Sequence, residues 1–224
     1  RVPIGAYGSG GPYHSSSVES VLCNIKGIKI AYPSTGADLK GLMKAAYHEP
    51  NPVVMLEHKG LYWSKIKGTE EAKSIEPSPD YIIPLGKSRT VLNADERAIE
   101  RGEAAVIITY GMGVYWAKSA AKEFQGRVSI IDLRTLVPLD EEAVFAAART
   151  HGRVLIVTEE QITNSFAQAL AGRINAACFA ELDAPVRFNG SADMPAVPVN
   201  STLEAAMIPS AEKVAVVLRE LLDY

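Results

Sequence analysis

The residues best suited to chemistry are four histidines and a few clustered carboxylates. His14 follows a glycine-rich run, Gly8-Ser9-Gly10-Gly11-Pro12, and precedes three hydroxyls, Ser15, Ser16 and Ser17. An imidazole titrates near neutral pH, so one carried by a loop at a strand's carboxyl end is the leading candidate for proton transfer. The glycine run lacks both the Lys-Ser/Thr of a P-loop and the GxGxxG spacing, so its glycines are read as permitting a tight backbone path. GxSxG is absent and the hydroxyls near His14 have no identifiable acidic partner, so no Ser-His-acid triad is argued. His48 and His151 fall at or near helix C-termini, where a cation suits the dipole, and are read as structural. His58 follows Glu57 at a strand end, a position able to face a cleft. Asp132-Leu133-Arg134-Thr135-Leu136 and Thr158-Glu159-Glu160-Gln161 close two strands and are read as solvated strand ends or helix caps. Cys23 and Cys178 are isolated, with no metal-ligand spacing, so no metal site is expected and two buried thiols in a reducing compartment are.

The elements that must position these groups alternate between apolar strands and amphipathic helices. Strands are expected at Pro3–Tyr7, Ile28–Tyr32 and Val53–Leu56, with helices over Ser17–Asn24, capped by Ser16 or Ser17, and over Ala37–His48, capped by Thr35. Polar, proline-bearing sequence around Glu76-Pro77-Ser78-Pro79-Asp80 marks a domain crossing. Beyond it, strands at Ala104–Thr109, Val128–Asp132, Val154–Thr158 and Val186–Phe188 alternate with helices, the last over Ala211–Leu222. Repeated βα units predict a parallel sheet with helices on both faces and ligand crevices at the strands' carboxyl ends.

Bulk properties narrow the classes. The 224 residues are 47% hydrophobic and 22% charged with a net charge of −3, which excludes a disordered chain and argues against a nucleic-acid or anionic-membrane surface. The longest uncharged apolar stretch, Ala104–Ala117, is interrupted by glycines and falls short of the ~20 residues of a membrane span. The chain opens Arg1-Val2-Pro3-Ile4 without Met and reads as the middle of something longer.

Several segments together resemble one family. They are Gly10-Gly11-Pro12-Tyr13-His14-Ser15, Pro33-Ser34-Thr35 with Lys40-Gly41-Leu42, and Asn51-Pro52-Val53 through Glu57. In the second half they are Tyr110-Gly111-Met112-Gly113, Ile131 to Leu136 with Pro138-Leu139-Asp140, Val157-Thr158-Glu159 and Phe166-Ala167. In order and spacing they resemble the β-subunit of thiamine-diphosphate-dependent 2-oxo acid dehydrogenases, the decarboxylating first component; the Asp-Leu-Arg-Thr segment is the most specific piece. The resemblance implies residues 1–75 as the second half of a pyrimidine-binding domain, a parallel sheet with helices that lacks its early strands. It then implies a linker over 76–97 and a transketolase C-terminal-type three-layer α/β domain over 98–224.

It further implies that His14 is catalytic, assisting proton transfer and reductive acylation of a lipoyl group, and Tyr13 before it leans toward the branched-chain members over the pyruvate ones. No Gly-Asp-Gly followed by Asn-Asn occurs. The main motifs for thiamine diphosphate and Mg²⁺ are therefore expected elsewhere in the intact enzyme, and this chain is expected to be inactive alone. Implied partners are an α-subunit or fused α-like domain, a second β copy in a homodimer or heterotetramer, and the dihydrolipoyl acyltransferase, docked through Asp193 and the carboxylate of Tyr224. Asp193 also reads as a turn residue before Pro195. The implied location is the bacterial cytoplasm or the mitochondrial matrix. Two rivals stay open: another enzyme of the transketolase superfamily, and a non-enzymatic α/β interaction module, which a solvent-surrounded His14 far from polar groups would favour.

Overall fold

The computed structural model describes all 224 residues. Its first sheet joins three parallel strands, β1 (Val2–Ile4), β2 (Lys29–Ala31) and β3 (Val53–His58), to a fourth that comes from far along the chain. Between β1 and β2 lie two short helices, α1 (Gly11–Ser15) and α2 (Glu19–Cys23). The serine cap expected for α2 is not made: its N-cap is Val18, because Ser16 turns back to the Pro12 carbonyl. Helix α3 (Gly36–His48) does begin at Thr35, whose hydroxyl accepts the Asp38 N–H at 3.1 Å. Its inward face is Gly41 and Leu42 with the charged Asp38, whereas Met43 is exposed.

Residues 76–97 are not bare connection. Ile83 packs on Leu42 and Met55, and β4 (Arg89–Leu92) is the edge strand of the second sheet, antiparallel to its neighbour. After α4 (Glu96–Glu100) come β5 (Ala105–Thr109), α5 (Gly113–Ala121) and β6 (Val128–Asp132). The chain then leaves this sheet: β7 (Thr135–Val137) pairs antiparallel with β2 as the fourth strand of the first sheet. It is followed by α6 (Glu141–His151), β8 (Val154–Gln161), α7 (Phe166–Cys178), β9 (Arg187–Ser191), α8 (Ser201–Met207) and α9 (Ala211–Leu222). The second sheet has the order β4-β6-β5-β8-β9, parallel apart from β4.

β5 and β6 are buried along their whole length, as strands covered on both faces must be. Helices α5 and α9 cover one face around Ile107, Leu155 and Leu218, and α6 and α7 cover the other. That second face runs without a break into the first sheet. One cluster contains Ile4, Ile30, Tyr32 and Leu56 together with Ile108, Ile156 and Leu170. The two halves therefore share a core. No helix is long and apolar enough to cross a membrane.

Candidate active site

The carboxyl ends of parallel strands from both sheets converge, and the candidate chemistry lies there. Ile4 pairs with His58 across β1 and β3, so the chain leaving β1 passes directly over the His58 ring. Gly5 makes this approach possible: at φ +88° it is in the left-handed region, and a Cβ would lie 2.2 Å from the His58 ring. Beyond it the glycine-rich run turns into α1, which carries Tyr13 and His14. Both are exposed, Tyr13 to 93%, and the His14 ring makes no hydrogen bond.

His58 is buried and tied. Its Nδ1 accepts the Gly60 N–H at 3.1 Å, so its ring proton sits on Nε2, which donates to Glu159 Oε2 at 2.6 Å. Glu159 Oε1 accepts the Ala6 N–H at 2.5 Å, which links β8 to the chain leaving β1. Its neighbour Glu160 accepts from the Ser20 N–H at 2.7 Å, the Ser20 hydroxyl and the Phe166 N–H at 2.9 Å. Glu19 is fully buried beside this pair and neither of its oxygens has a partner. Burial first, then the Glu160 charge, pushes its carboxyl well above the usual carboxylate range.

A second junction joins the carboxyl ends of β2 and β6. The Ser34 hydroxyl donates to Asp132 Oδ2 at 2.5 Å, and Arg89 reaches Asp132 at 3.3 Å and Asp38 at 3.2 Å. Arg134 pairs with Asp38 at 2.8 Å while its own N–H donates to Asp132 Oδ1 at 3.1 Å. Arg134 is held at φ +59° between the sheets: the Leu133 N–H donates to Thr109 O, and Arg134 O accepts the Tyr32 N–H. Burial pushes the Asp132 carboxyl up to about 6, against the opposing Ser34 hydrogen bond. The Asp-Leu-Arg-Thr segment is thus a join between the two halves.

Several expectations change here. Asp132, Glu159 and Glu160 are buried acceptors, not solvated strand ends, because each strand ends against the other half of the molecule and not in water. His151 does end α6, but it is buried between Ala147 O and Ser129 Oγ, and burial lowers its pKa, so a cation at the dipole is not its role. Cys178 is buried as expected; Cys23 is only half-buried, and both thiols are free. His58 does line a cleft, a cavity of about 320 Å³ with Ser34, Glu57 and Tyr62 on its wall.

Asp193 is exposed and accepts the Thr163 N–H at 3.1 Å and the Thr163 hydroxyl, bonds that hold its carboxyl below the usual range. Tyr224 is also exposed, beside Phe179 and Pro185. Arg187 pairs with Glu220 at 2.6 Å, so the end of α9 lies by the start of β9, whereas Asp193 follows its end. The two docking candidates are therefore separated by about the length of a five-residue strand, roughly 16 Å.

Residues 96–214 match the family "Transketolase, C-terminal domain", and residues 1–64 match "Transketolase, pyrimidine binding domain". The chain belongs to the transketolase family. Among curated relatives of this transketolase-type chain, the 2-oxoisovalerate dehydrogenase subunit beta of Bacillus subtilis (strain 168) is 38% identical over all of the chain and 65% of its own length. A mitochondrial 2-oxoisovalerate dehydrogenase subunit beta 2 of Arabidopsis thaliana is 31% identical over all of the chain and 58% of its own length. The pyruvate dehydrogenase E1 component subunit beta of Rhizobium meliloti (strain 1021) is 33% identical over 96% of the chain and 44% of its own length. The chain thus spans about half to two thirds of these relatives. A solved structure titled "Split gene transketolase, inactive beta4 tetramer" superposes with a TM-score of 0.70 over 98% of this chain and 65% of its own, at 18% identity, and shares the fold. The fold expected from the resemblance, pyrimidine-binding then C-terminal three-layer α/β, is the one observed.

Of the candidate residues, sequence reasoning singled out His14 and weighed His58, but it read Glu159 and Glu160 as solvated or capping and missed the buried hydrogen bonds they accept in this transketolase-type chain. The signal was available. Two adjacent acids follow the fully apolar run Val154–Val157 at a strand's carboxyl end, where open α/β sheets gather polar groups.

Proposed function

We propose that this chain is the C-terminal portion of the β-subunit of a 2-oxo acid dehydrogenase first component, of the 2-oxoisovalerate type. The intact enzyme would decarboxylate a branched-chain 2-oxo acid oxidatively and pass the acyl group to lipoyl. The carrying observation is the Tyr13-His14-Ser15 turn: an imidazole held at a strand-end junction, exposed and without a partner of its own, beside 38% identity to such a subunit. In this reading His14 stands free because the group it serves arrives on another chain. The same exposure was the mark of a bare interaction module; family membership among dehydrogenase subunits favours the enzyme.

Thiamine diphosphate and Mg²⁺ belong to this reading only in the intact enzyme. Residues 1–224 contain no cluster of three His, Cys, Asp or Glu arranged to hold a metal ion, and no Gly-Asp-Gly motif to take a diphosphate. They do not fit the cofactor alone, so no step is derived through it. Calorimetry of residues 1–224 with thiamine diphosphate and Mg²⁺ is expected to give no specific heat. The α-subunit or α-like domain, a second β copy, and the bacterial cytoplasm or mitochondrial matrix follow from the same reading.

Docking of a basic domain of the acyltransferase through Asp193 and Tyr224 remains part of the proposal, with a constraint: a domain touching both must bridge the length of β9. Charge-assisted contacts of this kind act mainly on association rate and register.

The test uses the enzyme assembled from full-length β-chain and its α-subunit. His14→Ala is expected to lower lipoyl-linked turnover by about 10²-fold or more, the usual worth of a positioned acid or base. Wild-type turnover would overturn the assignment. A higher kcat/KM for pyruvate than for 2-oxoisovalerate would replace the branched-chain type by the pyruvate type.

A further inference from the structure

His14 is bare, yet the segment that carries it is anchored at intervals. Three buried glutamates from the second half each accept a backbone N–H from it: Glu159 from Ala6 at 2.5 Å, Glu204 on α8 from Ser9 at 3.3 Å, and Glu160 from Ser20 at 2.7 Å. Between Ser9 and Ser20 the segment makes no hydrogen bond to the second half, and the buried hydroxyls of Ser15 and Ser17 have no partner. Packing holds it there as well: Val18 lies against the shared core, and Gly11, at φ +66°, lies so close to Val199 that a Cβ would be 2.6 Å from that side chain. Below it lies a cavity of about 250 Å³ lined by Ser15, Ser17, Glu159 and Gln161.

We propose that Glu159, Glu160 and Glu204 are positioning residues, carboxylates of the C-terminal domain that grip the backbone of Ala6–Ser20 and so set where His14 is presented. This rests on the reading of His14 given above. Carboxylates suit the task because they are strong acceptors for N–H groups, and a grip made mainly on the backbone leaves the His14 ring free for other work. Glu159 is itself oriented by the Nε2–H of His58, which makes His58 part of the anchor. Lys59 contributes opposite charge close to Glu159 and Glu204. The C-terminal domain, in this view, serves the proton-transfer residue on the other domain without touching the reacting group.

The test again uses the assembled full-length enzyme. Glu204→Ala is expected to lower kcat for lipoyl-linked turnover roughly 10-fold, because small misplacements of a catalytic group cost at least that much, with KM for the 2-oxo acid little changed. Glu204→Gln keeps a carbonyl to accept the Ser9 N–H and is expected to recover most of the loss. The double variant His14→Ala/Glu204→Ala is expected to be no slower than His14→Ala alone, since nothing is left to position. Hydrogen exchange over residues 5–20 is expected to speed up in Glu204→Ala. Additive losses in the double variant, equal losses in the Ala and Gln variants, or unchanged exchange would each overturn the positioning role. Full activity in His14→Ala would instead strike the functional reading, while the exchange measurement still judges the anchor.

Discussion

The two junctions between the halves are built from the same materials to opposite ends. Where β2 meets β6, the Arg89 side chain pairs with Asp38 and Asp132 and the Arg134 side chain with Asp38, so charge meets charge. Where β1 and β3 meet β8, Glu159 and Glu160 take backbone N–H groups, and a single histidine stands where the other junction has two arginines. The first arrangement welds: each charge is compensated, and removing one partner strands another in a dry interface. The second holds a strip of main chain, takes the Ser20 hydroxyl with it, and leaves the His14 ring unbound. The difference teaches that a buried acid at a domain boundary need not mean an ion pair. It can equally be the acceptor that fixes a strip of main chain.

The comparison breaks most decisively on activity against stability. His14→Ala should cost about 10²-fold or more in lipoyl-linked turnover yet change unfolding free energy by no more than about 0.5 kcal/mol, as for an exposed side chain without partners. Calorimetric unfolding of the same variant checks the second half of that statement. Gly5→Ala should do the reverse to the fold, destabilising by about 3 kcal/mol, because the new Cβ meets the His58 ring at 2.2 Å on a left-handed backbone. Urea unfolding measures it; a loss under about 1 kcal/mol would show that His58 and the Ala6 anchor yield easily.

Arg134→Ala tests the weld. It leaves the buried Asp38 with Arg89 and the Thr35 hydroxyl and should cost about 2 kcal/mol, read from the urea midpoint. A smaller, pH-dependent effect belongs to Asp132. Its carboxyl is raised to about 6 in the folded chain, so it binds a proton more tightly there than when unfolded. Its contribution to stability is present below its ordinary titration range and is lost as pH rises through about 6. Asp132→Asn lacks this loss, so its urea midpoint relative to the native chain should rise between about pH 4 and pH 7. A constant difference would mean that Asp132 does not titrate in that window. The smallest effect is expected at Asp193, an exposed turn acceptor: Asp193→Asn should leave the melting temperature unchanged and, with a C-terminal extension at Tyr224, weaken acyltransferase binding at low salt more than at high salt.

Much of this protein is determined by local sequence. Period and capping give the α/β alternation: Thr35 and Asp140 cap helices because each hydroxyl or carboxylate satisfies an N–H three residues on, whatever the rest of the chain does. The uninterrupted apolar runs at Ala105–Ile108 and Val154–Val157 require strands covered on both faces, and both are so covered. His14 stands out as a candidate because a glycine run, an imidazole and hydroxyls are contiguous. What the sequence could not decide is which half a residue would face. Thr135–Val137 continues from a strand of one sheet yet pairs in the other, and Glu159 and Glu204 find Ala6 and Ser9 across more than 150 positions. Such partners are set by how the shared core packs the two sheets against each other, a long-range result that no local periodicity encodes. For the same reason the acids at the ends of β6 and β8 read as solvated from sequence and are dry in the fold: their water is displaced by a surface that only tertiary packing brings to them.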